Sequence, residues 1–330
     1  MTEALHPRDA FELQGAEAAE QAWLAAVGRG RLHHAWLLTG PEGLGKASFA
    51  YRAARRLLGA RPDPSRGLLG AAPQDPVSRL VSSRSHPDLL VLEKAGEDGK
   101  PRRNIPVEET RRLPEFFSKA PGMAEWRVAI IDAADDLNAN SANAVLKTLE
   151  EPPERGVVLL VAHAPGRLLP TIRSRCRRLA FAPWPLEEVA HFLRLRTNLA
   201  ADEAARLAEL SGGAPGRALA LAEQGALEMD AAARELVRSL PDLDKGALMA
   251  LTDRFRGGEG AARFALLTSL LAEHVRAAAT VAAERGGPAA DRIAAGWERL
   301  SGLPGEVEAL NLDRADALWT ATAELRRAFA

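Results

Sequence analysis

A single cysteine in 330 residues, Cys176, excludes an intramolecular disulfide framework. An excess of charge of one sign is missing as well, since 43 Lys and Arg stand against 44 Asp and Glu. The chain therefore lacks the global positive field of a protein that grips nucleic acid by itself, and any contact with DNA is expected to be local or shared with partners. No long apolar segment stands out, which argues against a membrane span. Met1 to His6 lacks the basic-then-apolar design of a secretory signal, so the chain reads as cytoplasmic. Its length suits two or three domains of roughly 100 to 200 residues and does not limit the core.

The most informative segment that is there also lacks something. Gly40-Pro41-Glu42-Gly43-Leu44-Gly45-Lys46-Ala47-Ser48 has the spacing of a phosphate-binding loop, in which glycines let backbone N–H groups cradle phosphates and the lysine reaches the terminal ones. The next residue in a working loop is a Ser or Thr that holds Mg²⁺; here it is Ala47. Ser48 stands one step further along, rotated by about 100° on a helix, and its hydroxyl points elsewhere. A glycine-rich turn with an incidental lysine is the plain alternative, so the flanks decide. Ala35 to Thr39 reads as a buried strand, and Phe49 to Leu58, rich in Ala, Arg and Leu without Gly or Pro, reads as a helix. Strand, loop and helix stand in the required order. Whether ATP or ADP sits in the loop is left open at this point.

Val128 to Asp132 is a second apolar strand and ends in a carboxylate, where a nucleotide-binding sheet presents an acid toward Mg²⁺; a strand-end Asp that caps a turn is the alternative. Ala133 follows, where hydrolysing proteins need a second carboxylate to orient water. Leu89 to Leu92 reads as a strand within a region from 59 to 106 that is otherwise mostly loop, and Val157 to Val161 reads as a further strand. After Asn138-Ala139-Asn140-Ser141, a helix-start signal, Ala142, Val145, Leu146 and Leu149 line one face of a helix that Pro152 and Pro153 end. His33 and His34 read as surface residues without ligand spacing. Four arginines fall within the six residues from Arg173 to Arg178. Such a run is usually a solvated face, but its density is high. Beyond Ala182 only helices are indicated: Leu186 to Leu195, Asp202 to Leu210 and one opened by Pro215-Gly216-Arg217, then an Ala-, Leu-, Glu- and Arg-rich bundle to Ala330.

The run from Ser141 to Pro153 (SANAVLKTLEEPP), followed by Ser174-Arg175-Cys176, resembles the bacterial clamp-loader branch of the AAA+ ATPases. The order of phosphate loop, acidic strand, this helix, Ser-Arg-Cys, a lid carrying Gly213-Ala214-Pro215-Gly216-Arg217 and a helical tail covers nearly the whole chain. The resemblance implies an α/β AAA+ P-loop domain with a parallel sheet over residues 1–182. It further implies a helical lid over 183–226 and an all-α oligomerisation collar over 227–330. It makes Arg175 an arginine finger that reaches in trans to ATP on an adjacent subunit, a group worth roughly 10³ to 10⁵ in rate. Cys176 is then a packing neighbour, and Arg217 takes the place of the second sensor. Gly40, Gly43, Gly45, Lys46, Ala47, Ser48 and Asp132 form a degenerate nucleotide site.

With Ala47, Ala133 and the Ala162-His163-Ala164 stretch in place of a polar first sensor, the resemblance points to a structural subunit rather than the motor. The partners it implies are the motor and clamp-opening subunits, the sliding clamp and, through the complex, primer-template DNA. No cofactor is required in this reading. The alternative is a competent motor ATPase that retains Lys46 and Asp132 and recruits Ser48 or Asp135. Relatives commonly carry a four-cysteine zinc module between the loop and the second strand, but residues 59 to 86 contain no cysteine. Only His86 with Asp63, Asp75 and Asp88 remains, a poor tetrahedral set. Elemental analysis after mild chelation is expected to find no stoichiometric zinc.

Overall fold

Four short apolar runs and one arginine-bearing segment become the strands of one parallel sheet. The computed structural model describes residues 6–30, 32–94, 102, 104–240, 243, 245–257, 259–286 and 288–329, in two compact units, residues 1–219 and 220–330. The first unit opens with α1 (Glu17–Gly28), β1 (Ala35–Thr39), α2 (Lys46–Leu57), α3 (Pro76–Ser82) and β2 (Leu89–Glu93). It continues through α4 (Val107–Thr110), α5 (Arg112–Ser118), β3 (Arg127–Asp132), α6 (Ala139–Glu150) and β4 (Gly156–Ala162). Then come α7 (Pro170–Arg175), β5 (Arg177–Ala180), α8 (Leu186–Arg196), α9 (Ala201–Leu210) and α10 (Pro215–Glu223).

The sheet order is β2-β3-β4-β1-β5, every pairing parallel, so β1 lies between β4 and β5. Helices cover both faces, which is why the strands read as continuous apolar runs. Because side chains alternate across a strand, Trp36 and Leu38 join Trp23, Phe49 and Ala53 on one face. Ala35 and Leu37 join Val145, Leu149 and Ile172 on the other. Trp23 meets Trp36 with ring centroids 4.9 Å apart, and α2 presents alanines to the sheet so that it lies close.

The structure departs from the sequence reading in several places. The stretch between α2 and β2 is not simply loop, because Asp75 caps α3 by accepting from the N–H of Val77 and Ser78. Residues 95–101 and 103 of the loop region lie outside the described residues. The helices α4 and α5 were not expected; they are short, and Pro114 inside α5 hides the periodicity. The arginine run continues as β5, an edge strand that only tertiary pairing reveals. His33 and His34 are half-buried and stacked, 4.3 Å between ring centroids, rather than free on the surface.

Two buried arginines hold the irregular segments. Arg52 on α2, 1% exposed, donates through Nε to Glu20 at 2.9 Å, through Nη2 to the carbonyl of Arg66 at 2.8 Å, and to the carbonyl of Phe11. Glu20 also accepts from the N–H of Leu69 at 3.2 Å. The segment before α1 and the turn over 62–71, closed by the Pro62–Ala71 bridge, are thus tied to α2. Arg127 pairs with Asp88 at 3.3 Å, and Asp88 accepts from the backbone N–H of Gly122, Met123 and Ala124 at 2.7, 2.7 and 2.9 Å.

The second unit contains α11 (Ala226–Arg238), α12 (Lys245–Asp253), α13 (Gly260–Arg285), α14 (Ala289–Leu310) and α15 (Arg314–Phe329). At 26 residues and a mean hydropathy of 1.2 in its best window, α13 is long and apolar enough to cross a membrane, contrary to the expectation from sequence. Its Phe264, Leu267, Leu271 and Val275 are instead buried where it packs on α11 and α14. Asp230, 2% exposed, accepts from Arg234 at 2.9 Å and meets His274 at 2.8 Å, which joins α11 to α13. Gly296 lets α14 approach α15, since a Cβ there would stand 2.7 Å from Leu325.

Removing one member of a buried ion pair leaves the other charge uncompensated. Arg52→Leu is expected to destabilise the first unit by about 3 to 5 kcal/mol in urea unfolding. Glu20→Leu together with Arg52→Leu should cost clearly less than the two single losses added.

Candidate functional site

The carboxyl ends of β1, β3 and β4 lie together along one edge of the sheet, where an open parallel sheet binds ligands. The loop after β1 begins there. Gly43 and Gly45 have φ of 83° and 78°, a region that side-chain-bearing residues rarely adopt, and Gly45 is the N-cap of α2. Lys46, 2% exposed, opens α2 and donates from Nζ to the carbonyl of Pro41 at 2.5 Å. Burial pulls its ammonium down to about 8, against the opposing pull of Glu42, Asp132 and Asp135.

Asp132 ends β3 beside this lysine. Burial raises its carboxyl to about 6, assisted by Glu93 on the neighbouring strand, while Lys46 opposes the rise. Ala133, 4% exposed, follows it and supplies no carboxylate. Asp135 does not replace it, because its oxygens accept from the backbone N–H of His163 at 2.5 Å and of Ala164 at 2.8 Å. His163, directly after β4, is half-buried, and burial and then Lys46 hold its imidazole below 6.5. Its Nδ1 is buried without a hydrogen-bond partner. Ala47 and Ser48 lie half-buried in the first turn of α2. The edge offers Lys46 and backbone N–H groups as partners for an anion, while Ala47 and Ala133 carry neither a hydroxyl nor a carboxylate at the positions after Lys46 and Asp132.

The lid comes onto the loop through the start of α10. Gly216 donates its N–H to the carbonyl of Gly43 at 2.9 Å, and a Cβ at Gly43 would meet the backbone nitrogen of Arg217 at 2.3 Å. The Arg217 side chain is exposed. On the other side of the loop a Cβ at Gly45 would stand 2.5 Å from the Leu13 side chain.

Arg175 belongs to the opposite edge. It ends α7, just before β5, and because β5 is parallel to β1 with Arg177 level with Trp36, the start of β5 lies about 13 Å from Gly40 along the strands. Its guanidinium pairs with Glu150 at 2.9 Å, donates to the carbonyl of Thr171 at 3.1 Å, and remains 36% exposed. The neighbouring arginines serve the sheet: Arg177 lies over the Trp36 ring, 4.8 Å from its centroid, and Arg178 donates from Nε to Thr39 at 3.0 Å. Cys176 is half-buried, and burial pushes its thiol up to about 12, so it is no nucleophile.

A parallel sheet in this strand order, with a lysine-bearing loop after its first strand and a helical lid on that loop, defines an AAA+-type P-loop module. The chain belongs to the DNA polymerase III delta subunit family, whose profile matches residues 15–185. It is 38% identical over 222 residues to the DNA polymerase III subunit delta' of Pseudomonas aeruginosa, an alignment covering 66% of this chain and 64% of that one. With the subunit delta' of Escherichia coli it shares 33% over 198 residues, 60% of this chain and 57% of the relative. The subunit gamma/tau of Mycobacterium tuberculosis is 32% identical over 179 residues, 54% of this chain and 29% of that one. The matched region thus spans less than two thirds of each relative's length.

The loop residues, Asp132 and the backbone at Arg217 gather on one edge, whereas Arg175 lies on the other. Sequence reasoning assigned no role to His163 or Glu150, and considered Asp135 only as a substitute for the missing carboxylate. His163 stands at the strand end where a first sensor would lie, whereas the partners of Glu150 and Asp135 come from remote segments.

Asp132 makes the site's stability depend on pH. Between about pH 4 and 6 the folded chain keeps a proton that the unfolded chain has released, so stability falls as pH rises through that window. Relative to Asp132→Asn, the wild-type chain is expected to lose on the order of 2 kcal/mol from pH 4 to 7. A difference in urea midpoint that stays constant over this range would reject the assignment.

Proposed function

We propose that this chain is a largely non-hydrolysing AAA+ subunit of a bacterial sliding-clamp loader, in the role of its delta-prime relatives. It lends Arg175 in trans to the ATP of an adjacent motor subunit and helps to seat the clamp on primed DNA during replication. The observation that carries this reading is the place of Arg175: half-exposed, at the sheet edge remote from its own phosphate loop. A guanidinium there meets a phosphate only on another molecule. Ala47, Ala133 and the engaged Asp135 support the absence of turnover in the chain's own site.

The partners in this proposal are the motor and clamp-opening subunits, the clamp and, through the complex, primer-template DNA, all in the cytoplasm. Any polymerase activity belongs to the holoenzyme of which the chain is a component. Residues 183–226 act as the lid and 227–330 as the oligomerisation collar. The retained Lys46 and Asp132 favour a second reading, an ATP-hydrolysing motor, and they also leave static ATP or ADP binding as part of the proposal.

The two readings differ in the isolated chain, where hydrolysis no faster than a Lys46→Ala control is expected; turnover clearly above it, with contaminants excluded, selects the motor. In a complex reconstituted with motor, clamp-opening and clamp subunits, Arg175→Ala should preserve assembly. It should lower DNA- and clamp-stimulated ATPase on the order of tenfold, less than the full worth of a finger because other sites keep theirs. Arg173→Ala, an exposed neighbour, should cost little, since its diffuse field is screened within about 8 Å.

A further inference from the structure

Among the described residues, Arg175 is the one member of the four-arginine run that pairs with a carboxylate. Its partner, Glu150, is the last residue of α6, reached from a different helix. A carboxylate in the last turn runs against the helix dipole, and a cation beside it offsets that cost. The chain just after α6 is also closely packed. Pro152 and Pro153 follow Glu150, and Gly156 packs so closely that a Cβ there would stand 2.1 Å from Pro153 and 2.9 Å from the Phe117 ring. Glu150 thus projects from a braced helix end.

A guanidinium carries five N–H donors. The contact with the carbonyl of Thr171 uses one of them, on Nη1, while Nη2 stands 2.9 Å from Glu150 Oε1 as an ion pair. The other donors are uncommitted by these contacts, and the group is partly open to solvent. A long side chain that is already held gives up less rotational freedom when it meets its target.

We propose that Glu150 is a positioning residue for Arg175, holding the guanidinium in the orientation in which its remaining donors meet an oxyanion of a neighbouring subunit's ATP. The role rests on the reading of Arg175 as a finger in trans. The contribution comes from orientation rather than charge, because a carboxylate beside the guanidinium lowers the net positive charge offered to phosphate. An uncharged acceptor of the same shape preserves the hold without that opposition.

The test uses the reconstituted complex, with kcat and KM for ATP measured for the DNA- and clamp-stimulated reaction and assembly checked by gel filtration. Glu150→Ala is expected to lower kcat about fivefold, with KM for ATP little changed. Glu150→Gln should remain within about twofold of wild type, because its amide oxygen can occupy the carboxylate oxygen's place beside the guanidinium and accept from it. Glu150→Lys, which places a like charge at the same helix end, should lose at least as much as Glu150→Ala. Adding Glu150→Ala to Arg175→Ala should produce no further loss. Wild-type rates in Glu150→Ala and Glu150→Lys while Arg175→Ala is impaired would overturn the positioning role, as would additive losses in the double variant. An unimpaired Arg175→Ala complex would instead remove the finger itself and the role of Glu150 with it.

Discussion

The parallel pairing of β1 with both β4 and β5 is the constraint on which the rest of the chain depends. Parallel strands share a polarity, so everything that follows a strand collects at one edge and everything that precedes one collects at the other. The phosphate loop, Asp132 and His163 follow strands; Glu150 and Arg175 precede them. No local rearrangement of a loop exchanges the two sets, because the intervening strands are buried on both faces and closely packed. The chain is thereby given two chemically different edges, one carrying the glycine-rich loop with Lys46 and Asp132, the other carrying the partly exposed Arg175.

The phosphate edge combines a retained scaffold with incomplete chemistry. The glycines, the buried lysine and the strand-end aspartate keep the cradle and its charges. Burial draws Lys46 down to about 8 and Asp132 up to about 6, so both groups are less strongly charged near neutrality than they would be in water. Asp135 holds the backbone after β4, and the lysine is satisfied by the carbonyl of Pro41. The lid hydrogen bond from Gly216 to Gly43 joins lid and loop through the backbone alone.

Stability in the first unit rests partly on charges removed from water. Arg52 with Glu20, and Arg127 with Asp88, anchor segments that have little regular structure of their own. In each case the ion pair also satisfies backbone groups, which is the condition under which burying charge is tolerated. The turn over 62–71 is held in this way by Glu20 and Arg52.

The sequence by itself determined the strands that are buried on both faces, because their apolar runs are continuous, and the helices whose apolar residues recur at helical spacing and whose ends carry caps or prolines. It also determined the loop at Gly40, since glycine spacing and the adjacent lysine are local, and the missing groups at Ala47 and Ala133 for the same reason. Tertiary structure decided what depends on partners distant in the chain. The strand β5 is short, arginine-rich and exposed, so nothing in its pattern marks it before it pairs with β1. The helices α4 and α5 are too short for a period to show. The half-burial of His33 and His34, the engagement of Asp135 by the backbone after β4 and the pairing of Glu150 with Arg175 arise from segments brought together only when the sheet closes. Charge and residue type can be read along the chain, but which charges face one another is a property of the folded sheet.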